Sequence, residues 1–393
     1  MSGKSGATPL LSPAFVRVTV ANFCFFLTFA SFFLLPLHVR ALGGTERTVG
    51  FVMGTNGVAG LVGIFLLGPL LDRVDRRLFL RAGLALMGAA TLAFLFVVRI
   101  GPFLYVLRVL QGIAFAAGYN AASTLAVELA PPTRRGAALG IFGVSTLATH
   151  ALAPTIGEQL VRAGGFRLLF VVAALYSTVG LALTVGLPPP GPLDTSRQQP
   201  LRMDRTRQAT ILVVALMGVA FGSVITFTPT FVHDAALGSV STFFLSYTAA
   251  AIGTRFGVAG LGDRLGHRRV AAPALALLGG SIGALAAVHS AVELAAVGLV
   301  FGTAQGVVYP TLNAFAIDDV APGQYGRLQT LFNGAFNLGV TSGSFALGNV
   351  ADRFGHRAVF LTSATIAAVA LGIFVTATRE RGATEAADDV PSA

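Results

Sequence analysis

Arg108, Gln111, Phe115, Tyr119 and Ala122 recur at intervals of three or four, so a helix would carry them on one face as a polar and aromatic stripe. Gln305, Tyr309 and Asn313 repeat every four residues further along, and Asn333 and Asn337 do the same beyond them. With Asn22 and His150, these residues are the candidates for lining a polar cavity. Their chemistry is hydrogen bonding and stacking, which can bind a small organic solute without making or breaking bonds. Arg108 stands out because it falls inside an apolar stretch, where burying an arginine costs roughly 2.5 to 3.5 kcal/mol even on lenient scales, so it must face protein or water and have a partner. A packing helix with a buried hydrogen-bond network is the structural alternative. His150 is the candidate for carrying a proton, since a free imidazole titrates near neutrality; a neutral ring bonded to a backbone carbonyl would serve equally well.

Other chemistries are missing. GGSIG at 279 to 283 has the spacing of a nucleophile elbow, but it lies inside an apolar stretch with no strand before it, and helix packing explains it better. Lys4 is the only lysine, so no GxxxxGK phosphate loop exists and ATP-driven pumping by this chain alone is excluded. Cys24 is the only cysteine, which rules out a disulfide framework, and no zinc spacing occurs. No cofactor and no metal are expected, and the chain is not read as an enzyme.

The elements that must position these residues are membrane spans. Of 393 residues 54% are hydrophobic and only 11% charged, too apolar for an ordinary soluble domain. About 20 apolar residues cross a bilayer core, which predicts spans at 15–40, 49–71, 78–98, 102–127, 136–160 and 166–187, then 208–232, 240–262, 270–289, 292–317, 327–350 and 357–378. The fold class is therefore an all-α membrane protein of twelve transmembrane helices in two six-helix bundles. The expected domains are 1–187, a cytoplasmic linker at 188–207 rich in proline and polar groups, 208–378, and a disordered tail at 379–393. The first apolar run is longer than a secretory signal core and is kept as a span. The net charge of +10 is almost all arginine and sits in short loops. Eighteen of the 27 basic residues fall on the face shared by both termini and the linker, against seven on the other. By the positive-inside rule both termini are cytoplasmic, in the cytoplasmic (inner) membrane, and nucleic acid is not a partner.

The halves repeat each other: Pro36 matches Pro229, Asp72 matches Asp263, and Gln111-Gly112 matches Gln305-Gly306, at separations of 191 to 194 residues. A duplication of this kind places a cavity between two related bundles near the midplane. Both copies carry a charged loop, GPLLDRVDRR at 68–77 and AGLGDRLGHRR at 259–269. The pattern Gly-x-x-x-Asp-Arg-x-x-Arg-Arg of the first resembles the loop signature of the major facilitator superfamily, and Arg108-x-x-Gln111-Gly112 resembles that superfamily's fourth-helix signature. The stretches 127–143, 35–46 and 301–316 are similar to its bacterial arabinose-efflux-permease-like and drug-efflux branches. Asp75 and Ala259 depart from the pattern, each standing where the family has glycine.

The resemblance implies a secondary transporter working by alternating access, in which Asp72 and Arg73 latch the cytoplasmic side in the outward-open state. Glu128 and the region of Arg327 are the nominated partners. Asp263 and Arg264 would face Arg134 or Asp318 by pseudo-symmetry. Arg76, Arg77, Arg268 and Arg269 would join the latch and also anchor their loops to the cytoplasmic leaflet. Glycine pairs at 136/140, 253/257 and 339/343 would permit close helix contact. The expected activity is export of a small amphipathic organic molecule (drug, sugar or metabolite) by a monomer, with proton coupling open because no carboxylate falls in the middle of a span. An importer or uniporter, a channel and a non-transporting receptor are the competing readings.

Overall fold

The computed structural model describes residues 11–71, 74–189, 203–257, 261–317, 320 and 324–378. Among these residues the secondary structure is helical, with no strand. That is the outcome a bilayer forces, because a helix satisfies its backbone N–H and C=O groups within one segment. Helix starts follow sequence signals. Ser12 accepts a hydrogen bond from Phe15 N at 3.2 Å ahead of Pro13, and Asp204 does the same for Arg207 N at 2.7 Å.

The first six helices are α1 (Pro13–Ser31, continued through a 3-10 turn at Phe32–Leu34 into Leu35–Ala41), α2 (Glu46–Leu71), α3 (Arg76–Ala93), α4 (Pro102–Glu128), and α5 and α6 at 135–163 and 166–183. The last two form one long helical run, Arg135–Leu183, broken by Gly164 and by Gly165 at φ +69°. The break is a reversal: a Cβ placed on Gly157 would lie 3.2 Å from the Leu169 side chain, whereas twelve residues of unbroken helix would separate the two positions by about 18 Å. The second six are α7 (Arg205–Asp234), α8 (Val240–Gly257), α9 (His267–Leu285, preceded by the short helix Leu261–Leu265), α10 (Ala291–Ile317), and α11 and α12 at 325–354 and 356–377, which meet at Gly355 with φ +78°. By length and composition alone, eight helical runs among the described residues could cross a membrane, and two of these are the doubled runs just described. These account for ten of the twelve expected spans; the other two, at 240–262 and 270–289, are helical as α8 and α9 but are not among those runs, and the two glycine corners fall in the expected gaps at 160–166 and 350–357.

Contacts divide the chain into two compact units, Met1–His38 with Val58–Asp194, and Val39–Gly57 with Thr195–Ala393. Each is built on the same plan. In the first, α1 meets α5 in rising order (Asn22 with Thr146, Leu34 with Gly157) and α6 in falling order (Arg17 with Leu183, Thr28 with Ser177, Phe32 with Phe170). In the second, α7 meets α11 in rising order (Gly218 with Gly339, Thr226 with Ser344) and α12 in falling order (Ser223 with Ser363, Phe231 with Phe360). The duplication seen in the sequence is thus a duplication of packing.

Lipid gives little hydrophobic drive between helices, so small residues and hydrogen bonds hold them together. Gly339 and Gly343 press on the α7 backbone at Ala215 and Val219, as expected. The pairs 136/140 and 253/257 do not: a Cβ on any of those four glycines would meet nothing within 4 Å. Their spacing alone does not say which face of the helix they lie on. Large apolar side chains such as Phe65, Leu66, Phe96 and Val292 are exposed, forming the surface that lipid would cover.

Candidate functional site

In the first unit, Arg108 on α4 is buried, 3% exposed, although it sits only six residues into the helix. Its Nη1 donates to Gln111 Oε1 at 2.8 Å, and its guanidinium lies 5.7 Å from the Phe32 ring centre on α1. Gln111 Nε2 in turn reaches Thr91 Oγ1 on α3 at 3.4 Å. The two signature residues therefore bind each other and tie α1, α3 and α4 together. Asn22, fully buried on α1, donates to Thr146 Oγ1 on α5 at 2.9 Å, while its Oδ1 is buried without a hydrogen bond. Tyr119 packs among Phe26 (5.2 Å between ring centres), Phe115 (5.4 Å) and Phe142 (6.3 Å), and the His150 ring stands edge-on to Phe33 at 5.1 Å. Tyr119 and His150 thus stand against aromatic side chains of α1, α4 and α5, while Asn22 is buried where α1 meets α5.

In the second unit the expected stripes of α10 and α11 come together. Tyr309 Oη donates to Asn333 Oδ1 at 2.6 Å, Gln329 Nε2 reaches the same oxygen at 3.4 Å, and Asn313 Nδ2 donates to Gln329 Oε1 at 3.1 Å. Asn337 donates to the Asn333 carbonyl at 2.9 Å. Gln305 is half-buried and its Oε1 is a buried acceptor without a hydrogen bond. Gln329 was missed by sequence reasoning, although it lies one turn before Asn333 and the period of four would have found it.

At the charged loops, Asp72 and Arg73 lie outside the described residues, as does the Asp263 side chain. Glu128 ends α4 and pairs with Arg76, which is buried. Arg264 and Arg327 are exposed and Arg268 is half-buried. Asp75 is the N-cap of α3: its Oδ1 accepts from Arg77 N at 2.8 Å, and its Oδ2 pairs with Arg77 Nη2 at 2.6 Å. The hydrogen bond from Arg77 holds this carboxyl below the usual aspartate range. Arg77, expected as a leaflet anchor, also donates to the Leu187 carbonyl at 2.8 Å, while Arg81 donates to Thr184 O at 2.8 Å and Arg17 to Leu183 O at 3.1 Å. Three cations thus cap the carbonyl end of α6, where the helix dipole favours them.

Two duplicated units of helices, most of them long and apolar enough to cross a bilayer, define a multi-pass membrane protein. The sequence profile of the Major Facilitator Superfamily matches residues 18–344. The chain belongs to that superfamily, whose members carry solutes rather than catalyse reactions. It is 23% identical over 376 residues to the staphylopine export protein of Staphylococcus aureus, covering 88% of this chain and 91% of that protein. It is 26% identical over 368 residues to the multidrug resistance protein MdtG of Proteus mirabilis, covering 87% and 90%. Among solved structures, a bacterial homolog of the human lysosomal transporter Spinster, in an inward-facing and occupied conformation, superposes with a TM-score of 0.80 at 16% identity over 95% of this chain and 98% of that one. The nucleoside transporter NupG superposes at 0.75 with 15% identity over 93% and 99%. At such identities the solved structures speak for the fold alone.

Proposed function

We propose that the chain is a secondary active exporter, moving a small amphipathic organic solute across the cytoplasmic membrane by alternating access, with both termini on the cytoplasmic side. The observation that carries this is the pair of polar faces, Asn22 with Tyr119 and His150 in one unit and Gln305, Tyr309, Asn313, Asn333 and Asn337 in the other. Each offers hydrogen-bonding groups inside apolar helices, and Asn22 and Gln305 each keep a buried carbonyl oxygen for an incoming donor. Arg108 and Gln111 act behind the first face, fixing α1, α3 and α4. Similarity to a staphylopine exporter and to a multidrug resistance protein supports the outward direction, and the excess of arginine on the face of the termini supports the topology.

Asp72, Arg73, Arg76, Glu128, Asp263, Arg264, Arg268 and Arg327 serve the cytoplasmic latch in this reading, and His150 is the candidate proton carrier. The working unit is a monomer whose bundles are 1–187 and 208–378. Everted vesicles containing the protein, screened with solutes that raise its melting temperature, test the proposal. Saturable, gradient-dependent accumulation supports it; accumulation only in right-side-out vesicles would make the protein an importer.

A further inference from the structure

No carboxylate falls in the middle of a span, yet the fold buries one at a span's start. Glu46 opens α2 and is 5% exposed. Its Oε2 accepts a hydrogen bond from Thr230 Oγ1 on α7 at 3.0 Å and lies 3.5 Å from Nε2 of His356, the residue after the Gly355 corner. Thr230 Oγ1 and His356 Nε2 are themselves 3.0 Å apart, so imidazole, hydroxyl and carboxylate form one cluster. On its other side Arg40 Nε stands 3.4 Å from Glu46 Oε1, and Arg40 Nη2 stands 3.5 Å from Asp234 Oδ2 at the end of α7. Glu46, Asp234 and His356 bring possible ligand atoms within 4.8 Å of one another, but both carboxylates already pair with the Arg40 guanidinium.

The charge balance of this knot depends on one proton. Two carboxylates face one guanidinium; Arg40 and Asp234 are open to water, but Glu46 is buried, and beside it a proton on His356 would cancel the negative charge that one guanidinium shared between two carboxylates leaves over. The charged groups next to the knot are in water: His233, 3.3 Å from Asp234, is 72% exposed, and Arg47, Asp352, Arg353 and Arg357 are exposed, with Arg357 Nη2 3.0 Å from His289 Nε2, while His38 on α1 packs away from it against Phe166 and Phe170. Beneath the knot the contact is tight and apolar. Gly50 packs on the Ser344 backbone, and a Cβ on Gly348 would lie 3.1 Å from the Glu46 carbonyl. The segment 39–57, flanked on both sides in the chain by residues of the first unit, is thereby held within the second.

We propose that Arg40, Glu46, Thr230, Asp234 and His356 form a proton-sensitive clasp, tightened when His356 is protonated and slackened when it is neutral. Its geometry stands without the transport reading; its consequence rests on that reading, in which the clasp controls how readily the outer side opens. The sign follows from the charges. The closed arrangement gains an imidazolium–carboxylate contact only when His356 carries a proton, so acid favours closure.

Spin labels at Ala41→Cys and Phe354→Cys, in a Cys24→Ala background in liposomes, read the clasp as a distance distribution. The ratio of short to long distances is expected to rise about fivefold between measurements at about pH 8 and about pH 5.5, the factor a single ion pair supplies. In His356→Gln the ratio should stay constant, and Glu46→Gln should favour the long distance at both pH values. A wild-type ratio that ignores pH, or a pH response that survives His356→Gln, overturns the proposal. Solute flux in the same liposomes keeps the two readings apart: a pH-dependent ratio without flux removes the transporter and leaves the clasp, while flux with a fixed ratio does the reverse.

Discussion

Asp75 occupies the position where the family's loop has glycine, and its surroundings explain the exchange: the side chain caps α3 and grips Arg77. An asparagine would keep the cap and lose the ion pair. Because the folded-state carboxyl titrates below its usual range, its contribution is present above the unfolded value near pH 4 and fades as pH falls through the lowered folded value. Asp75→Asn should therefore melt about a degree below wild type at pH 7, with the gap closing below about pH 4; the pair is exposed enough for water to keep the effect small. Arg108 makes the opposite kind of contribution. Arg108→Ala removes the partner of Gln111 inside α4, so flux should fall at least about tenfold while the protein still inserts, the cost of breaking a buried polar network being about 2 kcal/mol. Wild-type flux in that variant would take Arg108 out of the mechanism. Tyr309→Phe removes one hydrogen bond to Asn333, and should raise KM about fivefold with little change in folding, if that face meets the solute.

At the scale of elements, apolar length placed the helices and the gaps between them, because span length is a local property, and the structure puts a glycine corner in two of those gaps. Which residues touch across helices was less legible. Spacing of three or four put Gln305, Tyr309 and Asn313 on one stripe and Asn333 and Asn337 on another, but that Tyr309 meets Asn333 depends on how α10 and α11 pack. The glycine pairs make the same point: only 339/343 meets a neighbouring backbone, since a small residue is equally small whether it faces a helix or lipid. Gly343→Leu should then cost about 1 to 3 kcal/mol through overpacking against Val219 and lower the melting temperature in detergent, whereas Gly136→Leu should leave it nearly unchanged. Equal melting of the two variants would contradict the packing described. Glu46 was illegible for a related reason: its partners Thr230 and His356 lie 184 and 310 positions further along the chain, and no local pattern links them.

For the whole molecule, the repeat was the most informative feature of the sequence, because duplication places equivalent residues at equivalent depths without any knowledge of contacts. It gave the two-unit plan, and the matched order of contacts along α1 and α7 is its physical counterpart. What the solute is was not legible, since uncharged amides, a phenol and aromatic walls suit many amphipathic molecules. If the loops latch one state, Asp72→Asn should slow turnover severalfold while leaving solute affinity within about twofold, an effect on switching rather than on binding. An unchanged turnover number would argue for simple leaflet anchoring. The most direct measurement is counterflow in proteoliposomes holding only this chain, with a solute chosen by thermal stabilisation. A carrier that exposes its site alternately to each side predicts a transient overshoot of labelled solute driven by unlabelled solute inside, lost in Arg108→Ala; a linear, non-saturating flux, or binding with no overshoot, would contradict it.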